Sequence, residues 1–268
     1  MRNIFVVLLA AVIVLSSSNV FSGEVRTGFD DVDIVVGGQL RPRFEFSDRT
    51  GTSGDDGNFW ISQRSRLNIG VNAGGSIKGL IQFQDVRSWG EEANTLADYT
   101  ADQFDIHQAY IDLIDVAGLP LTLRLGRQEI IMDGHRIMGS VNWTQMARSW
   151  DGVKLITNVG PASVNLFGAK ERERTVSGNG ATTAETEATR DKNVYGAWSK
   201  VKVTDAAAVS GLLVYQNDDS TGVDLNRVTF GPRVTFKSGN LKARVEGYYQ
   251  TGDTSNRCYD NSCTSTKN

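Results

Sequence analysis

Arginines alternate with apolar residues in three short segments of this chain, at 39–46, 64–72 and 121–126. A guanidinium group binds a carboxylate or phosphate through two parallel hydrogen bonds, so clustered arginines can form an anion-contacting surface. Successive side chains of a β-strand point to opposite faces, which assigns these arginines to the polar faces of predicted strands. The residues concerned are Arg41, Arg43, Arg64, Arg66 and Arg124. Two roles are open for them: contact with anionic solutes, or structural ion pairs that stabilise the wall formed by the β-sheet.

A second charged group lies where the alternation ends, from Gly126 to Gly139 and at the start of the next alternating segment. Its members are Arg127, Glu129, Asp133, Arg148 and Asp151. Charges are costly in an apolar environment, so we predict that Arg127 to Gly139 leaves the wall as a loop, which can fold inward as a constriction.

An enzymatic interpretation of this group has little support. Catalysis by a nucleophile needs a base that a third group holds in place. The only histidines, His107 and His135, have no Ser or Cys motif beside them. We therefore predict a protein that is not an enzyme, with no cofactor and no metal site.

Eleven alternating segments must position these residues. They cover 39–46, 64–72, 79–84, 108–113, 121–126, 150–158, 161–171, 191–203, 206–217, 225–237 and 240–251. Tight turns and long polar loops alternate between them. Strands with one apolar and one polar face, joined in this way, are typical of an antiparallel transmembrane β-barrel of the outer membrane, whose apolar face meets lipid. A secreted β-sandwich is the alternative, but most of its strands are shorter, at about 5–6 residues.

The N-terminal residues 1–22 form a predicted signal peptide, with Arg2 before an apolar run and Gly23 as the first mature residue. We expect residues 23–268 to form the barrel. The formal net charge of −3 gives no nucleic-acid signature. In an exported protein, Cys258 and Cys263 can form a small disulfide loop.

Several stretches resemble the alginate-export family of outer-membrane barrels. They are Leu125–Gly139 with Trp143, Arg148–Lys154, Gln63–Leu67 and Gln82–Trp89. The resemblance covers most of the mature chain and implies a monomeric barrel of about 16–18 strands. It also implies passive diffusion of an anionic polysaccharide through an arginine-rich lumen. The pore-lining role then falls to Arg41, Arg43, Arg64, Arg66, Arg124, Arg127 and Arg148, with Glu129, Asp133 and Asp151 as acidic partners. Met132 and His135 depart from the family pattern.

The end of the chain leads to one further expectation. Eleven is an odd number of strands, whereas bacterial single-chain barrels have an even number. Residues 256–268 are typical of an external loop and lack a terminal aromatic residue. We therefore expect a chain that is truncated before its last strands. Two alternatives to an anion channel are kept: a general porin with structural arginines, and a structural or adhesive surface barrel.

Overall fold

Antiparallel β-strands make up almost all of the regular structure. The computed structural model describes residues 19–26, 31–47, 58–90, 104–172, 192–218, 225–254 and 266–267. Contacts divide the chain into two compact units, one formed by residues 1–111 and 139–149, the other by 112–138 and 150–268.

In the first unit, the strands are hydrogen-bonded neighbours in chain order. They are β1 (Asn19–Arg26), β2 (Val32–Ser47), β3 (Asn58–Ala73), β4 (Ile77–Ser88) and most of β5 (Phe104–Leu113). The β2–β3 pair runs without a register shift from Val32↔Ala73 to Ser47↔Asn58. The predicted signal-peptide boundary, between Ser22 and Gly23, lies within β1, which pairs with β2. Cleavage at this boundary stays a prediction.

In the second unit, the strands again follow one another in the sheet. They are β6 (Leu121–Gln128), β7 (Trp150–Val159), β8 (Ala162–Arg172), β9 (Lys192–Lys202), β10 (Ala207–Asp218), β11 (Leu225–Ser238), β12 (Leu241–Glu246), β13 (Tyr249–Thr254) and β14 (Thr266–Lys267). Both β12 and β13 pair with β11. The ladder breaks between them opposite Pro232, because proline has no N–H to donate there.

The predicted all-β antiparallel fold is confirmed, and every predicted strand is present. Most strands are longer than predicted: β2 begins at Val32 instead of 39, and β6 ends at Gln128 instead of 126. The predicted strand 240–251 is divided into β12 and β13. None of the described residues forms a helix long and apolar enough to cross a membrane.

Each unit has one apolar and one polar face, as the alternation predicts. The apolar faces are solvent-exposed in the isolated chain; exposed side chains include Leu40, Leu67, Val71 and Ile81 in the first unit and Val153, Leu166, Leu213, Val234 and Val245 in the second. Extended exposed apolar surfaces mark contact with a partner or a membrane. The buried apolar cluster lies on the opposite face of the second unit, where Trp150, Phe167 and Val194 are nearly inaccessible.

Candidate functional site

The loop that joins β6 to β7, residues 129–149, carries the signature residues of the sequence. Its residues 139–149 belong to the first unit and its residues 129–138 to the second. Four of its non-glycine residues have positive φ angles: Asp133, His135, Val141 and Ala147. Such angles are unfavourable for L-residues and persist only where surrounding contacts hold them. The loop therefore has a defined conformation that depends on its contacts with the strands.

In the first unit, Arg41 of β2 donates hydrogen bonds to the loop from all three of its guanidinium nitrogens. Its Nη1 and Nη2 reach the backbone carbonyls of Asn142 at 2.7 Å and Thr144 at 2.6 Å. Its Nε and Nη2 also reach Oε1 of Gln145 at 2.9 and 2.7 Å. A planar guanidinium with five donors is suited to hold several carbonyls at once. Arg41 thus braces residues 142–145 of the loop.

Arg64 lies directly opposite Arg41 in the β2–β3 register. It is only 3% exposed, and its Nη1 points to the carbonyls of Thr144 and Gln145 at 3.3 and 3.4 Å. Its Nε and Nη2 donate to Oε1 of Gln39. Two like charges placed opposite each other destabilise a sheet unless other groups compensate them. Here carbonyl and amide oxygens of the loop and of Gln39 supply that compensation.

Arg43 completes the brace. Its Nη1 donates to the carbonyl of Trp143, and its other nitrogens pair with Glu45 at 2.7–2.8 Å. Glu45 also accepts a hydrogen bond from Ser62. A cavity of about 550 Å³ borders this group, and Arg148 lies in its lining. Arg43 and Arg148 are therefore brought to one site.

Amide side chains extend the contacts between the loop and the strands. Gln145 donates from Nε2 to the backbone carbonyl and the hydroxyl of Ser62, at 3.1 and 3.0 Å. Gln84 donates to the carbonyl of Met146 at 2.8 Å and accepts from Nε of Arg66 at 2.7 Å. Arg66 thus acts on the loop through Gln84. We call Arg41, Arg43, Arg64 and Gln84 the loop brace.

In the second unit, apolar contacts hold the first part of the loop. Ile130, Met132 and Met138 are buried against side chains of β7 to β10. These partners are Trp150, Phe167, Ala169, Val194, Leu212 and Val214. Burial of each such side chain contributes about 1.5–3 kcal/mol. This half of the loop is packed as a core, and Met132, where the sequence departs from the family pattern, is part of that core.

Asp133 anchors the tip of this half of the loop. It accepts a hydrogen bond from Ser210 at 2.8 Å and lies 3.9 Å from Nη1 of Arg233. Arg233 is in turn 3.9 Å from Glu246, which pairs with Arg136 at 2.5 Å. The predicted acidic partner Asp133 therefore belongs to a charge cluster with β10, β11 and β12.

Arg124 pairs with Asp112 on the polar face of the second unit. Its Nε and Nη2 each donate to one carboxylate oxygen at 2.7 Å, and both side chains are mostly buried. Two parallel hydrogen bonds of this kind hold the two side chains in a defined geometry and are stronger than hydrogen bonds between neutral groups. Lys154 stands opposite Arg124 in the β6–β7 register. Arg124 therefore forms an ion pair, which is one of the two roles left open for it.

Arg127 and Asp151 are placed differently from the prediction. Arg127 does not leave the wall: it lies in β6 opposite Asp151 of β7, and the two pair at 3.0 Å. Alternation puts them on the face of Leu125 and Val153, which is the exposed apolar face. The sequence could not show this, because charged residues at a strand end do not reveal where the strand stops. This placement gives no support to a pore-lining role for the pair.

The other predicted residues are divided between the loop and the undescribed ranges. Glu129 is the first residue after β6 and is half-buried. Cys258 and Cys263 lie outside the described residues.

A group of basic residues on the polar face of the second unit was not predicted from the sequence. Lys200 and Lys202 of β9, Lys237 of β11 and Lys242 of β12 line a cavity of about 840 Å³ together with two arginines. The sequence signal was two lysines at period two in β9 and one lysine on the polar face of each of β11 and β12. Isolated lysines on separate strands do not reveal that the fold brings them to one cavity.

Comparison with known proteins agrees with this architecture. No curated protein matches the chain significantly. The family model described as Alginate export matches residues 32–266, nearly the whole chain. That family consists of outer-membrane transport channels built as β-barrels, so the predicted fold class and resemblance are confirmed. With its all-β strands and this match, the chain belongs to the alginate-export family.

Proposed function

We propose that this protein is an outer-membrane channel through which anionic solutes, above all anionic polysaccharides, diffuse passively along a basic polar face. The proposal includes polyuronates as the preferred cargo and lipid as the partner of the apolar faces. No energy source or catalytic step is needed, since the solute moves down its concentration gradient.

The excess of basic side chains on the polar faces carries this proposal. In the first unit these faces hold Arg41, Arg43, Arg64 and Arg66 near Glu45. In the second they hold Arg124, Lys154, Lys200, Lys202, Arg233, Lys237, Lys242 and Arg244 near Asp112 and Glu246. Rings of basic side chains make a pore favour anions, because a low-dielectric wall strengthens their potential.

The loop brace supports a fixed element next to this face. In the first unit, residues 142–146 lie over Arg41, Arg64 and Gln84. Carbonyl groups compensate the hydrogen-bonding needs of these arginines but leave their positive charge intact. The guanidinium charges can therefore act on a passing anion while the loop narrows the space along the face.

A general porin is the second candidate, and one observation favours it. The guanidinium groups of Arg41 and Arg64 are occupied by the loop and Gln39, so these arginines can serve as bracing alone. In that case their charges would matter for stability and not for selectivity. The two candidates therefore predict different results when a polar-face arginine is neutralised. An anion channel should lose anion selectivity, whereas a general porin should keep its selectivity.

Reversal potentials in planar bilayers separate the two. Across a KCl gradient, the full chain should prefer chloride, and Arg66→Gln should move the reversal potential toward zero. Arg127→Gln removes the same charge from the apolar face and is the matched control, with no expected shift. Cation preference, or an inserted full chain that does not conduct, would contradict the proposal. Equal reversal potentials for wild type and Arg66→Gln would favour the general porin.

A further inference from the structure

The cavity of the second unit lies at the ends of β8 to β12 where tight turns connect the strands. Thr204 to Ala207 border it at the turn between β9 and β10, and Lys237 and Lys242 flank the turn between β11 and β12. Small side chains at Ala206, Ala207 and Ala208 leave its volume of about 840 Å³ open. It is separate in sequence from the loop brace, whose residues belong to the first unit.

The charge of this cavity is strongly one-sided. Six basic residues line it: Lys200, Lys202, Arg233, Lys237, Lys242 and Arg244. Asp205 is the acidic residue in the lining, and it pairs with Lys202 at 2.6 Å. In the described part of the chain, Lys200, Lys237 and Lys242 form no ion pair with a carboxylate. These three lysines therefore carry positive charge without a carboxylate partner among the described residues, whereas Arg233 and Arg244 lie within 4 Å of Glu246, at 3.9 and 3.7 Å.

The strand register places two lysines of the cavity close together, which favours binding of an external anion. Lys237 lies directly opposite Lys242 in the β11–β12 pair, and both point to the polar face. Like charges in this position destabilise a sheet. Unlike the opposed pair Arg41 and Arg64, these lysines have no described loop over them that supplies hydrogen-bond acceptors. The repulsion lowers stability, and a ligand with negative charge would relieve it.

We propose that this lysine-rich cavity is a capture site for polycarboxylates at the tight-turn end of the channel. The inference deepens the proposed function and rests on it. In outer-membrane barrels the tight turns face the periplasm, so the site would meet a solute that comes from the periplasmic side. A polymer with a carboxylate on each sugar is the class of ligand that fits, and export is the direction of flux that such a site would serve.

The chemistry of lysine suits capture and release. Side chains two positions apart on a strand are separated by about 6.6 Å, and neighbouring strands by about 4.8 Å. The lysines therefore form a two-dimensional array that several carboxylates of one polymer can contact, whereas one small anion can contact only part of it. An ammonium group is a strongly hydrated point charge and lacks the bidentate fork of arginine, so each contact is weak. Many weak contacts favour a flexible polyanion and still allow it to move on.

Binding measurements on the full chain, refolded in detergent, test the proposal. The probe is hexameric galacturonate, with maltohexaose as the uncharged control of similar length. Isothermal titration at low salt should detect the uronate and not the maltohexaose. The triple variant Lys200→Gln, Lys237→Gln, Lys242→Gln should bind the uronate roughly tenfold more weakly, about a factor of two for each exposed charge.

Lys192→Gln is the matched control, because Lys192 lies on the same strand and face as Lys200 but at the long-loop end. It should bind like the wild type. Equal affinities of the triple variant and Lys192→Gln would overturn the inference, as would equal binding of maltohexaose. Circular dichroism confirms that each variant has refolded, and Lys200→Gln alone supplies the test if the triple variant does not fold.

Failure of this inference is distinguishable from failure of the proposed function. In a planar bilayer, hexameric galacturonate should reduce the current at lower concentration from one side than from the other, and the triple variant should lose this asymmetry. A chloride-selective channel without asymmetry overturns only the capture site. A cation-selective channel overturns the proposed function itself, whatever the binding measurements give.

Discussion

Replacement of Arg41 by glutamine is the sharpest perturbation of the loop brace. The variant Arg41→Gln keeps a polar side chain on β2 but is too short to reach the loop as the guanidinium does. It removes four hydrogen bonds, to the carbonyls of Asn142 and Thr144 and to Gln145. It also removes the repulsion between Arg41 and Arg64, which lie opposite each other, and this offsets part of the stability lost with the hydrogen bonds.

The magnitude follows from these contacts. A hydrogen bond from a charged donor contributes about 1.5–3 kcal/mol net, and such contributions are not additive. Arg41 is only half-buried, so water replaces part of the lost hydrogen bonding, and Arg64 retains its contact with the Thr144 carbonyl. We expect the opening free energy of the loop to fall by about 2–4 kcal/mol, which speeds exchange of its protected amides roughly 30- to 900-fold.

Hydrogen exchange measures this directly. The amide of Arg148 donates to the carbonyl of Ser140 at 2.6 Å within the loop, and it reports opening of residues 140–148. Its exchange should accelerate in Arg41→Gln while the amides of the β2–β3 ladder keep their protection. Arg127→Gln, which removes an exposed ion pair on the apolar face, should leave Arg148 unchanged. If Arg148 exchanges equally fast in Arg41→Gln and in the wild type, the idea of an arginine-held loop is refuted.

Two stability predictions concern the second unit. Gly196→Ala would place a Cβ 2.3 Å from the ring of Phe167 and should cost about 1–3 kcal/mol by thermal unfolding, because the buried ring must move. Gly211→Ala meets nothing within 4 Å and is its control, so equal melting of the two variants would contradict the packing argument. Asp112→Asn should cost about 3 kcal/mol, because it leaves Arg124 without the carboxylate that binds it. The double variant with Asp112→Asn and Arg124→Gln should recover part of that stability. If the stability losses of the two single variants simply add in the double variant, the stabilising ion pair between Arg124 and Asp112 is contradicted.

Residue patterns were sufficient to predict which face each strand residue occupies, but they were insufficient to predict how the loop between β6 and β7 packs. The alternation of Leu123 and Arg124 assigns each to a face, because the side-chain period of a strand is two and needs no tertiary information. No local pattern shows that Met132 is buried while its neighbour Ile131 is 37% exposed. That difference depends on which strands the loop covers. Likewise, charge alone predicted a loop position for Arg127, whereas pairing with Asp151 keeps it in β6.

The sequence by itself determined the class of fold, the approximate positions of most strands, the two faces and the family, since all of these follow from period-two alternation and motifs that neighbouring residues carry. Only the tertiary structure decided what the polar residues do. It directs Arg41, Arg43 and Arg64 at the carbonyls of a loop 80 to 101 positions away, and it gathers lysines from three strands around one cavity. The physical reason is that strand register and loop packing bring together residues distant in sequence, and those contacts set whether a charge braces the protein or faces a solute.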